Sequence, residues 1–454
     1  MEQYDVLIVG AATSGSFFAR RIAEAGHSVL VIDRLERAQL GRRLDVFRIG
    51  ESDLKRFGLP LPEQDDDFAF ACTGGVVCSA FGRHPKPMAG ATVGMHMPRY
   101  VARMNRWAAE AGAKFSYGAS FVDFLYENGR VAGASIERDG RTEPVRAKLV
   151  ADCSGIPSVA RTKLPDGYGA ENFIISDAEK SFVTLRCAAY HDPRDYVKGI
   201  RAWPFYQTWE APDANPTGAI LGVRAQFSYE AGEKAFAALE KAVSLPRYTV
   251  KRIERGTTPC RRPPYSFVAD GFLASGDAAC LTKPSSGEGV AASMVQLEIA
   301  ADVVGRLLDE GGYLTRARLW PINKRYVEAQ GKAFAAQLAA IRGAMSMSAA
   351  EDDFLFMKDV MFSETFFQSF GSGGPSRFPF GERMSMALRM HGGVFCGKLR
   401  VSTLRSLFGG MHGGERIRKL YAAYPPEENG FDEWTRRADA LWKACGGMAD
   451  RTGL

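Results

Sequence analysis

The sequence has no CxxC pair. Its eight cysteines, at 72, 78, 153, 187, 260, 280, 396 and 445, fall at no metal-ligand spacing, so no metal site is expected. Free thiols in a reducing cytoplasm are the economical reading. Nothing at the start of the chain resembles a secretory leader. No apolar run approaches the roughly twenty residues of a bilayer span. The best window, 290–308, carries Glu298, Asp302 and Arg306. A dominant charge of one sign is also missing: 58 basic residues stand against 52 acidic ones, and no long stretch is purely basic. A net charge of +6 is too mild to imply a nucleic-acid partner. No internal repeat is visible. These absences point to a cytoplasmic, non-spanning protein and leave peripheral membrane contact open.

What is present is globular. At 454 residues, 46% of them hydrophobic and 24% charged, the chain is too long for one simple core, and two or three packed layers or subdomains are expected. It opens with "YDVLIVG", a short apolar run fit for a strand buried on both faces. Phe17, Phe18, Ile22 and Ala25 then recur at helical spacing, Gly26 supplies a stop, and "SVLVID" is a second apolar strand ending in an acid. Such a unit suits nucleotide binding. Gly10 makes the tight turn, Gly15 lets helix and strand approach, N–H groups around Ala12 and Ser14 face a pyrophosphate, and Asp33 accepts ribose hydroxyls. Arg34 follows it, either touching adenine or phosphate or simply solvated. Ala12 stands where a glycine is usual, adding one methyl at the closest approach to the ligand. An ordinary strand–helix–strand without ligand would show the same apolar pattern.

Two distant segments bear on that choice. "AKLVADCSGIPSVART", 147–162, reads as a strand and a small-residue turn that brings Asp152, Gly155, Ser158 and Arg161 toward the same place. In "DGFLASGDAACLTKPSSGEGVAASM", 270–294, a strand ends at Gly276-Asp277, a turn holds Pro284, Gly287 and Gly289, and a long helix follows. In this order the three blocks resemble the flavoproteins of the p-hydroxybenzoate hydroxylase superfamily. "SGDAACLTKPSSGEGVAASM" is most similar to its geranylgeranyl reductase family. The resemblance implies FAD as cofactor, with Asp277 on the ribityl chain and the glycine turn beside the flavin pyrimidine. A helix start near Gly289 would favour the anionic reduced flavin. "MPRYVARMNRWAAEAGAKFSYGASFVDFL", 97–125, is similar to the family's helix, Gly-Ala turn and strand, with Arg99 matching an arginine near the cofactor. "IGESDLKRFGLP", 49–60, resembles the loop placed over the flavin, with Ile49 where many members have cysteine. The likeness covers roughly residues 1–330.

The implied fold class is α/β: an FAD-binding Rossmann-like domain with an inserted substrate domain built on a β-sheet, plus a mainly helical C-terminal region. Expected boundaries are 1–170 for the first part of the FAD domain, with an inserted segment near 50–98, then 171–262 for the substrate sheet. Residues 263–310 close the FAD domain and 311–454 form the helical region. Short apolar runs between 171 and 262 suggest strands. "RAWPFYQTWEAP" offers Trp203, Phe205 and Trp209 as pocket walls and Tyr206 as a proton donor, against the alternative that these aromatics only pack between sheet and helices. The family's Tyr-x-Trp-x-Phe-Pro signature is scrambled here. Phe354, Met357, Met361, Phe362, Phe366 and Phe370 recur at roughly helical spacing, as core or as an adaptable apolar wall. The segment 397–421 has six basic residues against Glu415, as a solvated face or a docking face for anionic lipid.

The family likeness implies reduction of a carbon–carbon double bond in an apolar, isoprenoid-like or enone substrate, by hydride from reduced flavin N5. The same cofactor blocks would serve a monooxygenase acting on an aromatic or polyketide-like substrate. Halogenation is disfavoured because no Gly-Trp-x-Trp-x-Ile-Pro segment occurs. A non-catalytic flavin-bound carrier is the reading from another class. No second nucleotide-binding unit is evident, so the electron donor is NAD(P)H bound transiently, or a separate electron-donor protein.

Overall fold

The computed structural model describes residues 2–42, 44, 46–215, 217–344, 347–364 and 379–445. Two eight-stranded sheets organise them. The first contains β1 (Glu2–Val9), β2 (Val29–Asp33), β6 (Lys114–Tyr117), β9 (Arg141–Asp152), β15 (Val268–Ala269) and β16 (Phe272–Ala274) in the order β15-β16-β9-β1-β2-β6. β7 (Ser120–Glu127) and β8 (Arg130–Arg138) extend it from β9. β1 lies parallel to β2, with Val6 opposite Val29, and parallel to β9, with Val9 opposite Asp152. Parallel neighbours on both sides place β1 inside the sheet, where Val6, Leu7, Ile8 and Val9 are all buried and the run does not alternate.

α1 (Thr13–Glu24) buries the expected Phe17, Phe18 and Ile22, and Gly26, at φ +87°, ends it. Around α1 pack α3 (Met97–Glu110) and α5 (Val290–Glu310), both within the large core. The Gly-Ala turn after α3 forms as expected, Gly112 taking φ +105° before β6.

The second sheet runs β14 (Tyr248–Pro259), β10 (Lys180–Tyr190), β13 (Gly218–Gln226), β12 (Thr208–Pro212), β11 (Ile200–Trp203), β4 (Phe68–Val77), β5 (Lys86–His96), β3 (Val46–Gly50). Strands from 46–96 and from 180–259 thus share one sheet, joined where β4 pairs parallel with β11. Side chains alternate across it. Ala219, Leu221 and Val223 of β13 pack with Phe236 of α4 (Tyr229–Ala242). Ile220 faces the other way, into a cluster with Phe70, Cys72, Val183 and Leu185.

Beyond α5, α6 (Arg316–Tyr326) and α7 (Lys332–Ala344) return to the nucleotide-side core, where Trp320, Tyr424 and Trp434 are buried. A separate small core joins α8 (Ala349–Met357) to helices Phe380–Phe395 and Val401–Ala422 through Leu355, Met390 and Leu399. The aromatic stripe of 354–370 is not one helix. α8 ends at Met357, and Asp359 and Phe362 take φ of +53° and +56°. Phe354 and Met361 join the small core, Phe362 stacks on Phe356 at 5.1 Å, Met357 is exposed, and Phe366 and Phe370 lie outside the described residues. Among the described residues no helix is long and apolar enough to cross a membrane.

Candidate functional site

The turn between β1 and α1 is built on backbone contact. Gly10 sits at φ +111°, and a Cβ there would overlap the Cys153 carbonyl. A Cβ on Gly15 would overlap the Gly10 carbonyl. Both glycines are therefore required by the fold itself, whatever occupies the turn. Ala12 differs: it is exposed, with φ −79° and ψ −163°, an extended conformation open to any residue. Its methyl strains nothing. Ala12 is also the N-cap of α1 and makes no side-chain cap, so the first-turn N–H groups are not satisfied from that side chain.

Two polar side chains brace this turn. Asp33 Oδ2 accepts the Ala11 N–H at 2.9 Å, and Oδ1 accepts the Leu35 N–H at 2.9 Å. Asn105 of α3, 2% exposed, donates Nδ2 to the Ala11 carbonyl at 2.8 Å and to Ser16 Oγ at 2.7 Å. Its Oδ1 accepts from the Tyr117 hydroxyl at 2.9 Å. Asn105 was missed in the sequence, although a buried amide on the apolar side of an amphipathic helix was its signal. The α3 residue expected near the cofactor, Arg99, is exposed and donates to the Asp66 carbonyl at 2.6 Å. It makes none of the loop contacts that Asn105 makes. Arg34 is likewise exposed.

The second block closes on the third. Asp152, fully buried at the end of β9, caps its own turn by accepting from the Ser154, Ala160 and Arg161 N–H groups at 3.0, 3.1 and 2.7 Å. Arg161, also buried, donates Nε to the Ala278 carbonyl at 2.8 Å. Its charge and that of Arg261 lie near Cys280, yet burial dominates and pushes that thiol up to about 12.

The third block reaches the first. Gly276 has φ +65°, and a Cβ there would stand 2.9 Å from Ser14 Oγ. Asp277 Oδ1 accepts from Thr282 Oγ at 3.3 Å, and a Cβ on Gly289, the N-cap of α5, would stand 3.3 Å from the same oxygen. Gly289 also provides no side-chain cap. Two uncapped helix starts thus flank one turn, an arrangement that suits an extended anionic ligand. Between them the loop with Pro284 and Gly287 is closed by Lys283 N–H to the Glu288 carbonyl and Gly287 N–H to the Lys283 carbonyl, both 2.9 Å. Gly287 has φ +78°.

This loop faces the second sheet. A Cβ on Gly287 would stand 3.1 Å from Arg224 Nη1, and Arg48 Nε lies 3.9 Å from Glu288 Oε1. Arg48 belongs to β3, which enters α2 (Glu51–Arg56), so the 49–60 segment starts beside this loop. Ile49 itself is buried. Burial and then the Glu288 carboxylate raise the Asp53 carboxyl above the usual range.

The aromatic segment divides between the two faces of the sheet. Trp203 pairs with Thr208 across the hairpin, and both project toward α4. Trp203 and Tyr206 are buried there with Leu239 and Cys78, and Phe205 packs against them. This corrects the expectation for all three: they form a closed cluster on the side away from the 283–289 loop. Tyr206 faces α8, where burial and then Asp352 raise its hydroxyl pKa. Trp209 alone lies on the other side, packed against the cluster of Phe70 and Ile220, with its indole directly over Gly222.

No family model matches the chain. Among curated relatives, the digeranylgeranylglycerophospholipid reductase of Methanoculleus marisnigri is 29% identical over 319 residues, covering 68% of this chain and 78% of the relative. The enzyme of that name from Sulfolobus acidocaldarius is 22% identical over 447 residues, 96% of this chain and 97% of its own. Among solved structures, a geranylgeranyl bacteriochlorophyll reductase-like protein from Thermoplasma acidophilum superposes with a TM-score of 0.71 at 19% identity, covering 85% of this chain and all of that one. A flavin-dependent brominase shares the fold at a TM-score of 0.61 and 17% identity, covering 87% of this chain and 99% of its own. Sequence relatives and fold agree with the three-block reading: the chain is similar in sequence to digeranylgeranylglycerophospholipid reductases and shares the fold of a geranylgeranyl reductase-like protein.

Proposed function

We propose that this protein reduces a carbon–carbon double bond of an apolar, isoprenoid-like substrate, using FAD held where the three blocks meet. The observation that carries the reading is the close approach of Gly276 to Ser14, where an added Cβ would stand 2.9 Å from Ser14 Oγ, which brings together two motifs far apart in the chain beside two uncapped helix starts. Bound FAD would supply a hydride from its reduced ring to one alkene carbon. The first-turn N–H groups of α1 would bind the pyrophosphate, Asp33 the ribose and Asp277 the ribityl hydroxyls. The positive end of α5 at Gly289 would stabilise negative charge on the reduced ring.

The second carbon needs a proton. Tyr206 lies on the far face of the sheet, so this role passes to Asp53 or to water that it orders. Asp53 sits near Glu288 with its proton affinity raised, as a general acid requires. Trp209 and its apolar neighbours supply a wall for the substrate chain. The names of the curated relatives, reductases of a geranylgeranyl lipid, support this substrate class. Reducing equivalents would come from transiently bound NAD(P)H or from a separate reductase.

The test is to reduce the purified protein without oxygen and add a polyprenyl alkene. Return of the oxidised yellow spectrum together with a saturated product supports the reading. A spectrum that stays bleached until air enters, with an oxygenated product afterwards, contradicts it.

A further inference from the structure

The Phe380–Phe395 helix has two apolar sides, one packed and one exposed. Met390 and Gly393 are buried, and Met386 and Val394 pack with them against α8 and the start of the Val401–Ala422 helix. On another side Phe380, Met384, Leu388 and Phe395 are 75%, 48%, 66% and 95% exposed. At about 100° per residue, these four fall within about 80° of one another on the helix surface. Phe380, Met384 and Leu388 form a ridge, and Phe395 lies on the same side about two turns on, past the exposed His391. At roughly 200 Å² for a large side chain, they present roughly 550 Å² of apolar surface, more than scattered surface residues account for.

Cations border this ridge. Arg383 lies beside it, and Lys398 and Arg405 follow in the connection and the next helix, all exposed, whereas Arg389 lies on the side of Glu382 and donates to the Lys358 carbonyl at 2.7 Å. The helix's one acid, Glu382, points about 150° away from the centre of the ridge. Large apolar side chains with basic residues at their margins match the boundary of an anionic bilayer, where the side chains enter the acyl edge and the cations meet phosphate. A second copy of the chain fits less well. The ridge falls short of the roughly 800 Å² per partner that a stable interface buries, and pairing it with itself would oppose like charges.

We propose that the Phe380–Phe395 helix docks this protein in the plane of an anionic lipid surface. The inference goes beyond the proposed reaction and does not rest on it, because vesicle binding is read without turnover.

The test uses the full chain with vesicles of phosphatidylcholine alone and of equal parts phosphatidylcholine and phosphatidylglycerol, separated by sedimentation. The expected result is binding to the anionic vesicles that salt weakens. The triple variant Phe380→Ser, Leu388→Ser, Phe395→Ser should lose it by roughly tenfold or more, with little change in its unfolding midpoint, since these side chains are largely exposed. Arg383→Glu with Lys398→Glu and Arg405→Glu should remove the preference for anionic vesicles. Failure of the native chain to bind anionic vesicles overturns the proposal, as does undiminished binding by the triple variant. A native dimer that the triple variant dissolves, with no vesicle binding by either, assigns the ridge to a second copy instead.

Discussion

Asn105 holds the Ala11 carbonyl at 2.8 Å from a position 94 residues further along the chain, and the same amide nitrogen reaches Ser16 Oγ. One buried side chain thus fixes the nucleotide turn to α3. Asn105→Ala leaves that carbonyl and the Tyr117 hydroxyl without this partner, a loss of about 1–3 kcal/mol. Denaturant unfolding should register that loss, and flavin retained through gel filtration should fall with it. A variant with native stability and native flavin content would contradict the bracing role.

Gly15 and Ala12 should respond in opposite ways to substitution. Gly15→Ala drives a Cβ into the Gly10 carbonyl and should prevent accumulation of folded protein. Ala12→Gly meets an exposed, unstrained N-cap, where glycine is accepted at least as well as alanine. Its stability should stay within about 0.5 kcal/mol of the parent, and its flavin affinity within a few-fold. A gain of tenfold or more in flavin affinity would mean that the Ala12 methyl does obstruct the ligand.

Trp203 and Trp209 should separate stability from catalysis. Trp203→Ala empties a packed cluster and should lower stability by about 3–5 kcal/mol, with KM unchanged in whatever protein folds. Trp209→Phe should raise KM for the apolar substrate with little change in unfolding. The reverse pattern would place the substrate on the α4 side.

Asp352 gives a pH signature. Its carboxyl, 1% exposed, accepts the Ala80 N–H at 2.7 Å and joins α8 to the loop after β4. Burial chiefly, and Asp353 after it, raise its pKa to about 7. A raised folded-state pKa means that the folded protein holds the proton more tightly than the unfolded chain. The contribution is therefore complete below the unfolded value and is lost as pH rises toward 7, with a slope of at most about 1.4 kcal/mol per pH unit. Asp352→Asn should flatten stability between about pH 4 and 7 relative to the parent. Glu210, raised to about 7 by burial, contributes a slope of the same sign that remains in the variant. An unchanged pH profile in Asp352→Asn would show that Asp352 ionises without penalty.

The first motif was legible because its signals are local. An apolar run, helical spacing, Gly26 and Asp33 each act within a few residues, and the structure places them as the sequence implied. The aromatic segment was not. Trp203 and Trp209 are six residues apart, an even separation that in one strand would put them on the same face. The turn at Pro204–Tyr206, with Gln207 at φ +54°, pairs Trp203 with Thr208 instead and sends Trp209 to the other face. The pairing of β4 with β11 was equally hidden, since nothing near residue 75 announces a partner at 200. Asn105 could have been found, because a buried amide needs partners, though which loop it serves depends on how α3 crosses α1.

The most direct test of the central claim, that the Gly10 turn and the Gly276–Asp277 turn form one flavin site, is the flavin content of Asp277→Ala beside the native chain. The native protein should purify yellow and release FAD on denaturation. The variant should lose most of that FAD while its unfolding transition stays cooperative. Full retention of FAD by a folded Asp277→Ala protein, or a native chain that binds no FAD when it is supplied, would contradict the account.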